Sequence, residues 1–172
     1  MSFFSVDIRH QTFFANFNMT NLIPALGLSL LFFLASADAN AQTVSGSIGN
    51  GRVSRGSTAR GSVVINIPKG LHVNSNNPNS QYAIPTTVRL SGSSLRFGSP
   101  RYPRGHDRKF VFSESSINVY EGRVPVTFSV NVPANFRGNS IRVTATVRYQ
   151  ACTEEVCYPP RTKQVTLTAR VR

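Results

Sequence analysis

The sequence predicts an all-β domain. Apolar and polar residues alternate with a period of two in several stretches of the last two thirds of the chain, as they do in half-buried strands. Clusters of Gly, Pro, Asn and Ser separate these stretches at short intervals. After residue 41, no segment keeps the apolar period of about 3.6 residues that a helix packed on a core needs. Roughly seven or more short strands at this spacing indicate an immunoglobulin-like antiparallel β-sandwich.

Three short strands are predicted first along the chain, over residues 63–67, 84–90 and 117–120. Turn residues separate them at 68–70, 74–80 and 91–94. Three longer strands follow, over residues 124–132, 141–149 and 165–171, with a turn at 133–140 between the first two. In the first of these long strands every even-numbered residue is apolar, so one face of the strand is expected to lie on the core.

The N-terminal segment predicts export. Residues 22–34 form an uncharged apolar run, shorter than the roughly 20 residues that a membrane-spanning helix needs. Small residues follow at Ala37, Ala39 and Ala41, as at the cleavage site of a secretory signal. We therefore predict a signal peptide over residues 1–41, cleaved after Ala39 or Ala41, and no stable membrane span after cleavage. The alternative is an uncleaved membrane anchor.

One domain is expected after the signal. Residues 42–61 are rich in Gly, Ser and Arg, and they are predicted to form a flexible lead-in with an edge strand. Residues 62–172 are predicted to form the sandwich domain. The segment after residue 41 is long enough to bury a core without the help of a metal or of several disulfides.

The chain is strongly basic, with 19 Lys and Arg against 7 Asp and Glu and a formal net charge of +12. Such a domain attracts nucleic acid, anionic lipid or acidic proteins. Because export argues against nucleic acid, no nucleic-acid partner is expected. The alternative is a solvated Arg-rich surface with no specific partner.

Two cysteines are too few for a disulfide-dense miniprotein or a four-Cys zinc module. The chain has no G-x-S-x-G elbow, and the glycines at 49 and 51 lack the third glycine of a dinucleotide-binding loop. No metal, flavin or nucleotide cofactor is therefore expected. A zinc site would need His72 and His106 to complete the two cysteines.

Cys152 and Cys157 lie between the last two predicted strands, with four residues between them. Such a loop can fold back to bring the two Cα atoms within bridging distance, and an oxidising compartment favours the disulfide. An inert disulfide of this size stabilises a fold by only about 2 kcal/mol. Three uses stay open at this point, namely a structural disulfide, a redox-active pair and a zinc site.

Residues 98–116 are predicted to be a long irregular loop. Long loops in compact domains are usually functional or disordered. This loop contains Phe110 and Phe112, which is unusual for a solvated segment.

Several motifs together resemble one family, that of the N-terminal periplasmic domain of the thiol:disulfide interchange protein DsbD. The most specific motif is Tyr-Gln-Ala-Cys at 149–152, with Cys-Tyr-Pro-Pro-Arg-Thr-Lys at 157–163. Lys-Gly-Leu-His-Val-Asn at 69–74 with Ile-Pro-Thr at 84–86 is similar to the early strand pair of the family. The segment from Tyr102 through Phe110, with Val-Tyr-Glu-Gly at 119–122, is similar to its middle part. The resemblance covers roughly residues 60–171.

The resemblance implies an immunoglobulin-like fold and a role in passing reducing equivalents to a periplasmic thioredoxin-like protein. It implies that Cys157 forms the mixed disulfide and that Cys152 resolves it. Phe110 matches the aromatic residue that shields the pair in the family, and Phe112 could substitute for it. Arg108 and Lys109 replace acidic residues of the family's cap loop and are expected to meet an acidic rim on the partner.

Four further residues are expected near the pair: His72 and Asn74, which stand where some members have tyrosines, and Tyr149 and Tyr158, which flank the cysteines. DsbD continues into a membrane domain and a thioredoxin-like domain. For this chain the resemblance therefore implies a separate membrane thiol reductase as the electron source.

Overall fold

The computed structural model describes residues 42–172. These residues form twelve β-strands and no helix. The strands are β1 (Thr43–Ile48), β2 (Arg52–Val53), β3 (Ser57–Asn66), β4 (His72–Asn74), β5 (Thr87–Ser91), β6 (Arg96–Phe97), β7 (His106–Arg108), β8 (Ile117–Tyr120), β9 (Arg123–Val132), β10 (Ser140–Tyr149), β11 (Ala151–Cys152) and β12 (Arg161–Val171).

Two four-stranded sheets make the body of the domain, one in the order β1-β3-β9-β6 and the other in the order β2-β12-β10-β5. Their pairings are antiparallel, except that β2 runs parallel to β12. This confirms the predicted immunoglobulin-like sandwich. The three long predicted strands are confirmed as β9, β10 and β12.

The alternation of apolar and polar residues along the strands determines which side chains form the core. Along β9 the even-numbered residues from Val124 to Val132 are buried, and the odd-numbered residues point outward and are more exposed. β10 repeats this pattern from Ile141 to Tyr149. Burying a Val, Ile or Phe side chain contributes roughly 1.5–3 kcal/mol, so the register of these strands is strongly specified.

The segment 42–61 differs from the expected flexible lead-in. It forms β1, β2 and the first half of β3, and the predicted boundary at residue 62 falls inside β3. β1 does lie at the edge of its sheet. The Gly-rich composition has a packing reason at Gly61, where a Cβ would come within 2.2 Å of the Phe128 ring. Ile48 and Val53 are buried and fix this segment on the core.

A third sheet, in the order β11-β4-β8-β7, carries the cysteines. Its strands have two to four residues each, and of these only β8 matches a predicted strand. The strand predicted over 84–90 begins three residues later, as β5 at Thr87. Pro85, which lacks an N–H to donate, precedes it.

No helix within residues 42–172 is long and apolar enough to cross a membrane. The predicted signal peptide over residues 1–41 lies outside the described residues.

Candidate functional site

The disulfide lies where the chain leaves one sheet for another. After Tyr149 the chain departs from the β10–β12 pair, and β11 pairs with β4 in the third sheet. The chain then turns back on itself, because the Thr153 amide donates to the Val156 carbonyl at 2.8 Å and the Tyr158 amide donates to the Ala151 carbonyl at 2.8 Å. Cys152 and Cys157 are thereby brought together in a disulfide with an S–S distance of 2.03 Å.

The two cysteines have different environments. Cys152 is fully buried, whereas Cys157 is exposed. Of the two residues, Cys157 is therefore the one that an incoming thiol can approach from solvent. The order of attack that the sequence resemblance implies stays a prediction.

A stack of three rings lies beside the buried cysteine. In the β11–β4 pair, His72 lies directly opposite Cys152. The imidazole of His72 stacks on the Phe110 ring, with centroids 4.2 Å apart and planes 16° apart. The Phe110 ring in turn stacks on that of Phe112, at 5.1 Å and 7°.

The predicted loop 98–116 is less irregular than expected, because it contains β7. Phe110 is only 3% exposed and forms a small apolar cluster with Ile117 and Val119 of β8. Phe112 is 40% exposed. The two aromatic residues of the loop thus have different positions, one in a core and one at the surface.

Arg108 of β7 ties this segment to the cysteine ring. Its guanidinium forms ion pairs with Glu121, which follows β8, and with Glu154, which lies between the cysteines, the latter at 2.8 Å. It also lies 5.4 Å from the centre of the Phe110 ring. The chain's own carboxylates therefore engage Arg108, and its expected contact with an acidic rim on a partner stays a prediction. Lys109 donates to the Glu114 carbonyl.

His72 is 1% exposed, and among residues 42–172 its Nε2 has no hydrogen-bond partner. Burial lowers the pKa of His72 below its ordinary value of 6.5, and the nearby Arg108 charge lowers the pKa further. The imidazole is therefore neutral at pH 7.

The other predicted neighbours have different roles. The Asn74 side chain donates to Gln150 Oε1 at 3.1 Å and to the Ile84 carbonyl at 3.0 Å, which holds β4 against the segment that follows β10. Tyr149 is fully buried in the main core, and burial raises the pKa of its phenol. Tyr158 is 46% exposed, next to Cys157.

A cleft of about 520 Å³ opens beside the exposed cysteine. Cys157, Phe112, Tyr82 and Gln150 are among its lining residues. The sequence pattern does not reveal this cleft, because the 74–83 and 112–117 segments come together only when the third sheet forms.

The exposed large apolar side chains of the described residues are all near this site. Val156 and Tyr158 lie in and beside the cysteine ring, Tyr82 and Phe112 line the cleft, and Val111 is next to Phe112. Clustered exposed apolar side chains are typical of surfaces that contact another protein or a ligand.

A zinc site finds no support among the described residues. No cluster of three or more His, Cys, Asp or Glu side chains there could hold a metal ion. His72 packs on Phe110, and His106 Nε2 lies 3.4 Å from Glu121.

One family of known proteins matches this chain. The family model of the N-terminal domain of thiol:disulfide interchange protein DsbD matches residues 50–169. No curated protein sequence matches the chain.

Two solved structures are similar to this chain. The reduced DsbD N-terminal domain of Neisseria meningitidis is 21% identical, with 64% of this chain and 80% of that chain covered and a TM-score of 0.43. The N-terminal periplasmic domain of ScsB from Proteus mirabilis is 11% identical, with 79% and 49% covered and a TM-score of 0.48, so this chain spans about half of its length. The family match over most of the chain shows that this protein belongs to the family of DsbD N-terminal domains.

Proposed function

We propose that this protein is an exported thiol–disulfide exchange protein that relays reducing equivalents through Cys152 and Cys157 to a thioredoxin-like partner. The observation that carries the proposal is the asymmetric disulfide, with one sulfur buried and the other exposed beside a cleft. An inert disulfide has no need of an accessible sulfur. Membership of the DsbD N-terminal family supports the same function.

The relay proceeds by two exchanges. In the dithiol form, the Cys157 thiolate attacks a sulfur of the partner's disulfide, and the partner's other sulfur leaves as a thiolate. The Cys152 thiol then loses its proton and attacks Cys157. This releases the partner's second thiol and leaves the Cys152–Cys157 disulfide. The partner is reduced by two electrons, and no metal, flavin or nucleotide takes part.

The surroundings of the pair suit a protein partner. The exposed apolar residues around Cys157 provide surface that a docking protein buries. Phe110 is proposed to act as the cap that keeps other thiols from the disulfide, with Phe112 at its outer side. Tyr82 and Tyr158 are well placed to contact the docked partner.

We also propose that the protein is exported to the periplasm. Residues 1–41 are the proposed signal peptide, residues 42–172 are the proposed mature periplasmic domain, and a separate membrane thiol reductase is the proposed electron source. Mass spectrometry of the protein from the periplasmic fraction should find a mature N-terminus at Asn40 or Gln42. Recovery from the cytoplasm of a full-length chain that begins at Met1 would rule export out.

Trapping tests the relay. The Cys152→Ser variant keeps the exposed Cys157 but cannot resolve a mixed disulfide, so it should hold a thioredoxin-like protein in periplasmic extracts. The matched variant Cys157→Ser keeps only the buried sulfur and should trap nothing. If both variants trap equally, or neither does, the pair is not a relay.

A binding module with an inert ring is the second candidate, because the exposed apolar surface around the cleft also suits a noncovalent partner. In that case the same partner should bind the chain with Cys152 and Cys157 both replaced by Ser as tightly as it binds the wild-type protein. The relay instead requires that covalent capture depends on Cys157.

A further inference from the structure

We propose that His72 is the proton acceptor for Cys152 when this buried thiol resolves the mixed disulfide. The proposal rests on the proposed function and adds to it the residue that makes its second step possible. It follows from the position of His72 in β4, the burial of its imidazole and the stacking of that ring under the cap.

The strand register brings the two side chains together. Cys152 of β11 and His72 of β4 are directly opposed in an antiparallel pair. Side chains opposed in this way lie on the same face of a sheet, with Cβ atoms roughly 4.5–5.5 Å apart. The neighbouring pair is Ala151 with Val73, which carries no titratable group.

The imidazole also has an unused nitrogen. His72 is buried, and its Nε2 lacks a hydrogen-bond partner among residues 42–172. Buried polar atoms are rarely left unpaired in native proteins, and an exception calls for an explanation. The reduced form supplies one, because Cys152 then carries an S–H that can donate to Nε2.

Cys152 needs such an acceptor. A thiol enclosed in apolar surroundings keeps its proton more firmly than one in water, yet only the thiolate attacks a disulfide. Cys152 is already fully buried, and in the proposed complex the docked partner covers Cys157 as well, so water has little access to the Cys152 thiol. A neutral imidazole next to the thiol can take the proton as the sulfur attacks.

The charges around His72 keep it neutral. Arg108 and His106 face it from β7, whereas Glu121 faces it from the turn after β8 and Glu154 from the cysteine ring. Burial lowers the pKa of His72 most, the Arg108 charge and the nearby His106 lower it further, and the two carboxylates raise it, with a net shift below 6.5. The base is therefore available at neutral pH and is lost as the pH falls through this lowered pKa.

In the balanced step, the Cys152 S–H proton passes to Nε2 while the Cys152 sulfur bonds to the Cys157 sulfur. The bond between Cys157 and the partner breaks, and its electron pair leaves with the partner's sulfur. That thiolate is released with a proton from solvent, and His72 returns its own proton to solvent once the cap opens.

A two-phase kinetic experiment tests the assignment. The reduced domain is mixed with an aromatic disulfide that releases a coloured thiolate at each exchange, so the first phase reports attack by Cys157 and the second reports resolution by Cys152. His72→Phe keeps an aromatic ring in the stack but removes the base. It should leave the first phase unchanged and slow the second by at least about tenfold, because general bases typically contribute 10²–10⁴-fold.

The matched control is His106→Phe, which changes the exposed histidine of β7 and should alter neither phase at about pH 8, where His72 is neutral with or without His106. His72→Gln is a second variant in case the first folds poorly. The pH dependence of the wild-type protein gives an independent readout. The rate of its second phase should be constant above about pH 6.5 and should decrease at lower pH. An unassisted thiol would instead show a rate that keeps rising toward the ordinary thiol pKa near 8.5.

The outcomes separate the two proposals. If the wild-type protein shows no exchange at all, the proposed function fails. If it shows both phases and a folded His72 variant keeps the wild-type second phase, the function stands and the assignment of His72 is overturned. A wild-type second phase that rises steadily with pH to the thiol pKa also overturns it.

Discussion

Phe110 combines two roles at the level of the single residue. Its ring covers the His72 imidazole on one side and contacts Phe112 on the other. It also belongs to a small apolar cluster with Ile117 and Val119. Its removal is therefore expected to lower the stability of the third sheet and, in the proposed cap role, to open access to the disulfide.

Phe110→Leu should be reduced by a small generic thiol several-fold faster than the wild-type protein, because the leucine leaves part of the ring stack open. Phe110→Ala should do the same at a larger stability cost of about 3–5 kcal/mol, which is typical of a buried phenylalanine. This cost is expected because Phe110 is buried in the small apolar cluster of the third sheet. Stopped-flow reduction and urea unfolding measure the two effects.

Phe97→Leu is the matched control, since Phe97 lies in β6 and packs on the main core instead of the third sheet. It should leave the reduction rate unchanged. If Phe112→Leu raises the rate and Phe110→Leu does not, the shielding residue is two positions further along than the resemblance implies.

At the level of the element, the cysteine ring is held by more than its disulfide. Two backbone hydrogen bonds close the turn between Ala151 and Tyr158, and β11 pairs with β4. The disulfide encloses only six residues, so the loop-entropy model gives it about 2 kcal/mol. These contacts can hold the ring in shape in either oxidation state, as the proposed relay requires.

Reduction of the disulfide should lower the free energy of unfolding by at most about 2 kcal/mol and leave the domain folded at room temperature. Urea unfolding of the oxidised and reduced protein, followed by circular dichroism, measures the difference. A reduced domain that is unfolded in the absence of denaturant would show that the disulfide is a structural requirement.

Arg108 links three elements of the site. It joins β7 to the cysteine ring through Glu154 and to the turn after β8 through Glu121. Arg108→Ala should speed reduction by a small thiol and change the free energy of unfolding by less than about 1 kcal/mol per pair, as exposed ion pairs contribute little. Because salt screens ion pairs, added salt should raise the rate at which a small thiol reduces the wild-type disulfide, and it should raise the rate of Arg108→Ala less. Lys109→Ala, which leaves both ion pairs intact, should behave like the wild-type protein.

The sequence predicts the long strands well and the short strands poorly, for a physical reason. β9, β10 and β12 alternate over ten or eleven residues, so their pattern alone specifies both strand and face. β4, β7 and β11 have two or three residues, too few for a pattern, and they form only because the third sheet brings them together. The cysteine pair and the aromatic residues were identified from sequence, but the ring stack and the Arg108 ion pairs depend on that sheet.

At the level of the whole molecule, the charges are unevenly distributed. The five carboxylate side chains among the described residues lie in the third sheet and its loops, namely Asp107, Glu114, Glu121, Glu154 and Glu155. Across the outer faces of the two large sheets, the charged side chains are basic, such as Arg60 and Arg123 on one and Arg142 and Arg148 on the other. The site end is thus mixed in charge, and the body of the domain is basic.

This distribution bears on how the proposed partner would be recognised. Because Arg108 is engaged by the chain's own carboxylates, an acidic rim on the proposed partner would have to compete with them. The exposed apolar residues around Cys157 offer a second surface for the proposed contact. A basic body favours acidic partners at long range, and salt weakens such attraction.

The reduction potential of the Cys152–Cys157 pair tests the central claim most directly. The domain is equilibrated with glutathione redox buffers or with a thioredoxin-like protein of known potential, and the fractions of dithiol and disulfide are measured by alkylation and mass spectrometry. A relay predicts a potential above about −300 mV, within reach of thioredoxin-like proteins. A potential below about −300 mV would show that the pair is an inert structural disulfide and would contradict the account.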